Sequence, residues 1–189
     1  MRYELPGLVI DNCAMAGRSS KTFREEGRLD DIAAHIRPGD LLVVSFGHND
    51  ANHNKAERYV SADAFGESLR PFWDAARSHG AVCIFASPVA MREFDEAGVC
   101  HPSFAAYREA MRAFAAEVGA PFIDLGAATA AANTAFGAER CKARYMWVGA
   151  KQDNAHQQNA GACRTAQAFV QQFLQDTTPA LDVLRANFK

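Results

Sequence analysis

The sequence predicts an α/β protein in which helices cover both faces of a parallel sheet. Short apolar runs alternate along the chain with longer amphipathic stretches, as they do in βαβ units. The runs at residues 41–46 and 81–86 are apolar almost throughout, which is typical of strands that are buried on both faces. Neither an internal repeat nor a linker divides the 189 residues, so we expect a single domain over residues 1–189.

Local signals predict the elements of the first half of the chain. Residues 8–10 and 41–46 are predicted strands, and residues 29–36 are a predicted short helix. Ser61 is an N-cap candidate for a long helix. Pro71 should bend this helix or displace its start. One face of this helix carries apolar residues at helical spacing, namely Phe65, Leu69, Phe72 and Ala76.

The second half continues the same alternation. Residues 81–86 and 121–125 are predicted strands, and an alanine-rich helix or loop follows the second of them. Ser103 is an N-cap candidate for a helix whose inner face carries Tyr107, Met111, Phe114 and Val118. Residues 145–159 are predicted to be irregular. A final helix starts near Ala160 and carries Ala166, Phe169, Val170 and Phe173.

Composition and charge exclude several classes of protein. With 49% hydrophobic and 22% charged residues, the chain has an ordinary globular composition. Its 20 basic and 22 acidic residues are interspersed, so the sequence predicts no nucleic-acid partner. No apolar stretch approaches the roughly 20 residues that span a bilayer, so no membrane partner is expected. The first residues lack the apolar core of a signal peptide, which predicts a cytoplasmic protein unless the true N-terminus lies upstream.

The five cysteines are an odd number without Cys-x-x-Cys spacing, which indicates neither a zinc site nor a complete disulfide framework. Cys83 lies within an apolar run and is predicted to be a small buried hydrophobic residue. Cys141 and Cys163 bracket residues 153–156. The sequence leaves open whether a disulfide between these two cysteines braces that segment.

A polar segment, Gly-His-Asn-Asp at residues 47–50, directly follows the predicted strand at residues 41–46. Open α/β sheets bind their ligands at the carboxyl ends of strands, so this segment is a candidate site. The side-chain amide of Asn49 can donate to a developing oxyanion, and so can the backbone N–H of Gly17 in the loop after the first predicted strand. The alternative is structural: Gly17 supplies a positive φ, while Asn49 and Asp50 turn the chain.

Asp153 and His156 are the best acid–base candidates. Acyl transfer by a hydroxyl nucleophile needs an imidazole that takes the proton and a carboxylate that holds the tautomer of that imidazole. A spacing of three residues lets both side chains come from one tight loop in front of a helix. The alternative is a surface loop with an incidental histidine, and the spacing alone favours this alternative.

The remaining candidates carry weaker signals. His48, Asp50 and His53 have ligand chemistry, but their spacing specifies no metal geometry, so no metal site is predicted. Ser19 follows a predicted strand within Gly-Arg-Ser-Ser-Lys, but it lacks the second glycine of a Gly-x-Ser-x-Gly elbow. Ser19 and Ser20 are therefore interpreted as residues that start a helix.

Taken in order, four segments resemble the SGNH (GDSL-type) hydrolases, and most closely their rhamnogalacturonan acetylesterase-like branch. The segments are residues 12–23, 38–50, 87–89 and 153–156, the last with Gly161 and Ala162. The resemblance implies a three-layer α/β/α sandwich with a parallel, flavodoxin-like sheet, and it implies no cofactor.

The same resemblance assigns roles to individual residues. Gly17 and Asn49 match the two oxyanion donors, His156 resembles the general base, and Asp153 resembles the carboxylate that orients it. The implied reaction is serine-mediated removal of acyl groups, typically acetyl groups, from polysaccharides. The expected partner is therefore an acetylated carbohydrate or another small ester.

One block of the family pattern is missing. The Gly-Asp-Ser segment that carries the nucleophilic serine should precede Gly17, but none of the sixteen residues before Gly17 is serine. In a flavodoxin-like strand order of 2-1-3-4-5 the strand before this block is central, so its loss would separate the strand at residues 8–10 from that at 41–46. We therefore expect that this sequence is the N-terminally incomplete sequence of an enzyme, for instance because the start was misplaced at Met1. Any export signal would then lie upstream.

Two alternatives stay open. One is a catalytically inactive carbohydrate-binding or interaction domain of the same fold, in which the strands at residues 8–10 and 41–46 pair in a rearranged sheet. The other is a weak hydrolase in which His156 activates water without a covalent intermediate. The sequence does not specify the acyl group, the sugar or the oligomeric state.

Overall fold

The computed structural model describes residues 2–5 and 8–181. Within this part of the chain the strands are β1 (Arg2–Leu5), β2 (Leu8–Asp11), β3 (Leu41–Val44), β4 (Val82–Ala86), β5 (Phe122–Ile123), β6 (Tyr145–Val148) and β7 (Lys151–Gln157). The helices are α1 (Ser20–Glu25), α2 (Arg28–Ala33), α3 (Ala62–Ser78), α4 (Ala105–Val118), α5 (Leu125–Phe136), α6 (Ala138–Cys141) and α7 (Asn159–Gln175).

Strands β3, β4 and β5 form a parallel sheet in that order. Leu41 lies opposite Val82, and Phe85 lies opposite Phe122. Helix α3 returns the chain from β3 to β4, and α4 returns it from β4 to β5, as parallel pairing requires. The predicted α/β class with a parallel sheet is confirmed.

Strand β4 divides the core into two layers because its side chains alternate between the faces of the sheet. Cys83 and Phe85 belong to an apolar cluster whose helical members come mainly from α3 and α4, such as Phe65 and Met111. Ile84 and Ala86 belong to a second cluster, which includes Ile123, Leu125 and Phe173. Helices therefore cover both faces of the sheet, as expected for three layers.

The predicted strand at residues 8–10 exists, but it lies outside the parallel sheet. As β2 it pairs antiparallel with β1, an element that the sequence analysis did not predict. Val9 and Ile10 are exposed. Among the described residues β3 pairs with β4 alone, so its other edge is open, and Val43 is 46% exposed. The strands at residues 8–10 and 41–46 are thus separated, and the rearranged pairing considered for an inactive domain is not found among these residues.

Helix α3 follows its prediction. Ser61 is the N-cap residue, Pro71 lies inside the helix, and the buried face carries the four predicted residues, Phe65, Leu69, Phe72 and Ala76. Helix α4 differs at its start: its N-cap is Phe104, with φ +55, rather than Ser103. The hydroxyl of Ser103 instead accepts a hydrogen bond from the backbone N–H of Met91.

Two further predictions for the second half are wrong. Residues 145–159 are not irregular, because most of them form the antiparallel hairpin of β6 and β7, which turns at Gly149 with φ +58. The polar sequence of β7 lacks the apolar alternation that predicts a strand. On α7, Phe173 is buried as predicted, but Ala166 and Val170 are exposed. The alanine-rich segment after β5 is helical, as α5.

Cys141 and Cys163 are both free. The Cys141 thiol is buried and donates to the carbonyl oxygen of Asn133, whereas Cys163 is exposed on α7. Cys83 is buried, as predicted. Among the described residues, none of the helices combines the length and the apolar character needed to cross a bilayer.

Gly47 at the end of β3 gives the first testable prediction. Its φ is +127, and an added Cβ would lie 2.5 Å from Cγ of Pro88. We expect Gly47→Ala to lower the free energy of unfolding by about 2 to 5 kcal/mol, because backbone strain adds to overlap with the proline ring. Urea denaturation measures this loss.

Gly39→Ala is the matched control, because Gly39 also has a positive φ but has open space where a Cβ would be added. Its expected loss is only about 1 to 2 kcal/mol, from backbone strain alone. Equal losses for the two variants would contradict the close packing of Gly47 on Pro88.

Candidate active site

The segment at residues 47–50 is held by the buried carboxylate of Asp50. Its Oδ2 accepts the backbone N–H of Gly47 at 3.0 Å, and its Oδ1 accepts the backbone N–H and the hydroxyl of Ser20 at 2.9 and 2.6 Å. Burial raises the pKa of Asp50, against the lowering effect of these donors. Asp50 thus closes the turn after β3 and ties that turn to the start of α1.

Asn49 and Gly17 are brought together by this connection. The Nδ2 group of Asn49 donates to the carbonyl oxygen of Arg18 at 3.1 Å, so the amide lies beside the turn that contains Gly17. Gly17 has φ +78 and is exposed. Its backbone N–H has no hydrogen-bond acceptor among the described residues. Two N–H donors that the sequence analysis selected therefore come from adjacent turns.

Asp153 and His156 both lie on β7, and their side chains meet. The Nδ1 atom of His156 is 2.8 Å from Oδ2 of Asp153. The other carboxylate oxygen, Oδ1, accepts the backbone N–H groups of Ala155 and His156, each at 2.9 Å. The backbone N–H of His156 is the main cause that lowers the pKa of Asp153, and the nearby imidazole contributes to the same shift.

The geometry fixes how the imidazole is protonated. An ionised carboxylate only accepts hydrogen bonds, so the hydrogen in this contact belongs to Nδ1 of His156. In the neutral ring Nε2 then carries a free lone pair that can take a proton. The His156 side chain is 77% exposed, so its outer face is open.

His48 links the two groups of candidate residues. Burial is the main cause that lowers the pKa of His48 to about 4, a hydrogen bond with the backbone of Val89 opposes the shift, and the charge of His156 adds to it. His156 is therefore close enough to His48 to act on it electrostatically. His48 in turn precedes Asn49 and packs edge-on against Phe104, with ring centroids 4.8 Å apart.

The loop after β4 holds both groups in place. Pro88 lies against Gly47, and the backbone of Val89 bonds to His48. Farther along the loop, the backbone N–H of Arg92 donates to the carbonyl oxygen of Asn154 at 2.7 Å. One loop thus contacts the turn that carries Asn49 and the strand that carries His156.

Asn154 has a second anchor that the sequence analysis missed. Its side-chain Oδ1 accepts the indole N–H of Trp147 at 2.9 Å and Nη1 of Arg92 at 3.2 Å. The guanidinium of Arg92 also lies 4.8 Å from the centroid of the Trp147 ring. Neither Arg92 nor Trp147 belongs to a recognisable motif, so only the folded chain reveals this contact.

The hydroxyls of Ser19, Ser20 and Ser87 form hydrogen bonds with groups other than His156. Ser19 is the N-cap of α1 and forms a capping box with Thr22, and Ser20 bonds to Asp50, so both are the helix-start residues that were predicted. Ser87 donates to Asp124 and accepts the backbone N–H of Gly126. Among the described residues, the His156 ring bonds to the Asp153 carboxylate and not to a serine.

The residues with metal-ligand chemistry do not converge. Asp50 is saturated by Ser20 and Gly47, His48 packs on Phe104, and His53 is exposed. Within the described part of the chain, groups of three or more His, Cys, Asp or Glu side chains placed to hold a metal ion are not found.

The described residues combine a parallel three-stranded sheet, covered by helices on both faces, with an imidazole–carboxylate pair on β7. The chain belongs to the GDSL-like lipase/acylhydrolase family, whose model matches residues 2–162. The SGNH resemblance is thereby confirmed, and by that resemblance the chain is an ester hydrolase.

Two relatives come from Bacillus subtilis (strain 168). The chain is 37% identical over 169 residues to the rhamnogalacturonan acetylesterase RhgT, an alignment that covers 85% of this chain and 72% of that protein. It is 39% identical over 156 residues to the probable rhamnogalacturonan acetylesterase YesY, covering 82% of this chain and 71% of that protein.

Solved structures share the fold. The crystal structure of the Bacillus subtilis protein YxiM superposes with a TM-score of 0.78 at 30% identity, covering 86% of this chain and 44% of that chain. This chain therefore spans less than half the length of YxiM. The acetylxylan esterase Axe2 from Geobacillus stearothermophilus gives a TM-score of 0.62 at 18% identity, covering 82% of this chain and 67% of that one.

The Asn154 anchor gives the second prediction. We expect Asn154→Ala to shift the indole N–H signal of Trp147 in ¹H–¹⁵N NMR spectra and to speed its exchange with solvent, because the indole loses its acceptor. Loss of these bonds should also lower the free energy of unfolding by about 1 to 3 kcal/mol.

Two controls accompany this measurement. The indole signal of Trp73 on α3 should not move, and Asn54→Ala, at an exposed position, should leave both indole signals in place. An unchanged Trp147 signal in Asn154→Ala would show that Asn154 is not its partner.

Proposed function

We propose that this chain belongs to an esterase that removes acyl groups, in particular acetyl groups, from polysaccharides or oligosaccharides by a serine-hydrolase mechanism. The observation that carries the proposal is the 2.8 Å contact between Nδ1 of His156 and Oδ2 of Asp153. Asp153 is itself fixed by two backbone N–H donors, so it can hold the imidazole in one orientation.

His156 acts as the general base in this mechanism. Its Nε2 takes the proton of the attacking hydroxyl, and the resulting imidazolium is stabilised by the Asp153 carboxylate. The lowered pKa of Asp153 keeps this carboxylate ionised through mildly acidic pH. His156 then returns the proton to the departing sugar oxygen, which leaves the acyl group on the serine. The same imidazole takes a proton from water, which attacks this ester and releases the acid, and the proton returns to the serine oxygen.

Asn49 and Gly17 stabilise the oxyanion of the tetrahedral intermediate. One N–H of the Asn49 amide is bonded to Arg18, which leaves its second N–H as a donor together with the backbone N–H of Gly17. Donors that are fixed before the reaction cost no reorganisation, and each typically contributes a factor of roughly 100 to 1,000 in rate.

The nucleophilic serine is supplied by a strand that pairs along the open edge of β3. Three features support this part of the proposal: the unpaired β3 edge among the described residues, the exposure of Val43 on it, and the engagement of Ser19 and Ser20 at the start of α1. A strand at this edge would end beside residues 47–50, where a serine after it could reach the imidazole of His156.

The substrate class is inferred from the relatives. RhgT is a rhamnogalacturonan acetylesterase, and Axe2 is an acetylxylan esterase, so acetyl groups on plant cell-wall polysaccharides are the first substrates to test. The second candidate function is a catalytically inactive carbohydrate-binding domain of the same fold. It is favoured by the missing hydrogen bond between a serine hydroxyl and His156 within the described residues.

The third prediction separates these functions. We expect a protein that combines this chain with the proposed serine strand to release acetate from acetylated rhamnogalacturonan or xylan oligosaccharides, and to hydrolyse p-nitrophenyl acetate. His156→Ala should lower kcat by about 100- to 10,000-fold because the proton acceptor is lost. Acetate release and p-nitrophenol absorbance are the two readouts.

His79→Ala is the matched histidine control, because His79 is exposed at the end of α3 and bonds to the carbonyl oxygen of Ala75. It should retain the parent rate. A parent rate in His156→Ala would contradict the role of the imidazole. Binding of these oligosaccharides by the same protein without release of acetate would support the inactive domain instead.

A further inference from the structure

Arg58 contacts both candidate oxyanion donors. It lies in the loop between residues 47–50 and α3, and its side chain points back to the strand tip. One guanidinium nitrogen, Nη1, donates to the carbonyl oxygen of Gly17 at 2.9 Å and to Oδ1 of Asn49 at 3.0 Å. A single side chain therefore joins the Gly17 turn to the Asn49 side chain.

This contact decides which way the Asn49 amide faces. The guanidinium group has only donors, so the Asn49 group that meets it must be the acceptor Oδ1. The donor Nδ2 then lies on the other side, where it meets the carbonyl oxygen of Arg18 at 3.1 Å. A flipped amide would set N–H donors against Arg58 and an oxygen against the Arg18 carbonyl, and both contacts would be lost.

The same guanidinium lies close to Gly17. A Cβ added to Gly17 would lie 3.5 Å from Nη1 of Arg58, so the arginine covers this side of the glycine. The hydrogen bond from Arg58 to the carbonyl oxygen of Gly17 also restrains the peptide group between Gly17 and Arg18. The candidate donor, the backbone N–H of Gly17, belongs to the same residue. Both donors are thus held by one rigid group.

The charge of Arg58 is available to the site. Among the described residues, acidic side chains do not form an ion pair with Arg58. Its Nε atom is buried without a hydrogen-bond partner in the same set of residues. A positive charge next to an amide donor strengthens the attraction of that donor for a developing oxyanion.

We propose that Arg58 is the positioning residue of the oxyanion hole: it fixes the Asn49 amide with Oδ1 toward the guanidinium, so that the second Nδ2 hydrogen stays available to an oxyanion, and it holds the Gly17 turn beside this amide. The proposal rests on the proposed esterase function for its catalytic meaning. The orientation of the amide is independent of turnover and can be measured on the 189-residue chain itself.

The fourth prediction concerns the Asn49 amide. In ¹H–¹⁵N NMR spectra of the parent chain, the two Nδ2 protons of Asn49 should give well-separated signals, with contacts to Arg18 rather than to the guanidinium of Arg58. In Arg58→Met the two signals should move toward each other and exchange faster with solvent, because the amide loses the group that orients it. The Gly17 backbone N–H should shift as well.

Two further variants separate orientation from charge and from general effects. Arg58→Lys keeps the charge but lacks the planar donor group, so it should recover the Asn49 signals only in part. Arg77→Met is the matched control, because Arg77 is exposed in the last turn of α3 and should leave these signals unchanged.

Turnover gives the second readout. In a protein that combines this chain with the proposed serine strand, Arg58→Met should lower kcat by about 10- to 100-fold with little change in KM. This is less than the roughly 100- to 1,000-fold cost of losing a whole donor. A loss confined to KM would contradict a role in the oxyanion hole.

The NMR signals of Asn49 and the turnover measurement test two separate claims. Unchanged Asn49 signals in Arg58→Met, or parent Nδ2 contacts that lie toward Arg58, would overturn the proposal whatever the activity of the protein. If a protein that combines this chain with the proposed serine strand shows no turnover, while the NMR shifts occur as expected, the esterase function is overturned and Arg58 keeps a structural role only. If Arg58→Met does not fold, the contacts measured in the parent chain still decide the orientation.

Discussion

The buried carboxylate of Asp50 is the interaction on which the rest of the site depends. It accepts three donors, two from Ser20 and one from Gly47, and so fastens the end of β3 to the start of α1. Burial disfavours the charged form of a carboxylate, and hydrogen-bond donors such as these offset part of that cost. For Asp50 burial is the larger effect, so its pKa is raised in spite of the donors. Removal of this group would break the link between the end of β3 and the start of α1, and would leave Asn49 joined to the Gly17 turn only through Arg18 and Arg58.

The loop at residues 87–92 extends this framework to the imidazole. Its contacts with Gly47 and His48 on one side and Asn154 on the other place β7 next to the strand tip. The site is therefore formed by turns that are hydrogen-bonded to one another rather than by a closed pocket. His156 lies on its solvent-exposed side. This openness agrees with a missing neighbour along the edge of β3 among the described residues, where Val43 is exposed.

Structural features that depend on residues close together in the sequence were predicted from local sequence patterns. The apolar face of α3 and the strand at residues 41–46 follow from periodicity. The Asp153–His156 contact was predicted by the family resemblance, because the spacing of the two residues alone favoured an incidental histidine. The roles of Arg58 and Arg92 could not be predicted, because each depends on contacts between residues that are distant along the chain. The β6–β7 hairpin was missed for a related reason: pairing with β6 holds the polar strand β7, whose own sequence lacks a strand pattern.

The protonation state of His156 tests the proposed esterase chemistry most directly. ¹⁵N NMR of the neutral imidazole should find Nδ1 protonated and Nε2 unprotonated, because the Asp153 carboxylate can only accept the hydrogen. In Asp153→Asn this preference should be lost. A neutral ring with its hydrogen on Nε2 in the parent protein would contradict the proposed mechanism, since His156 would then have no free lone pair facing the reacting hydroxyl.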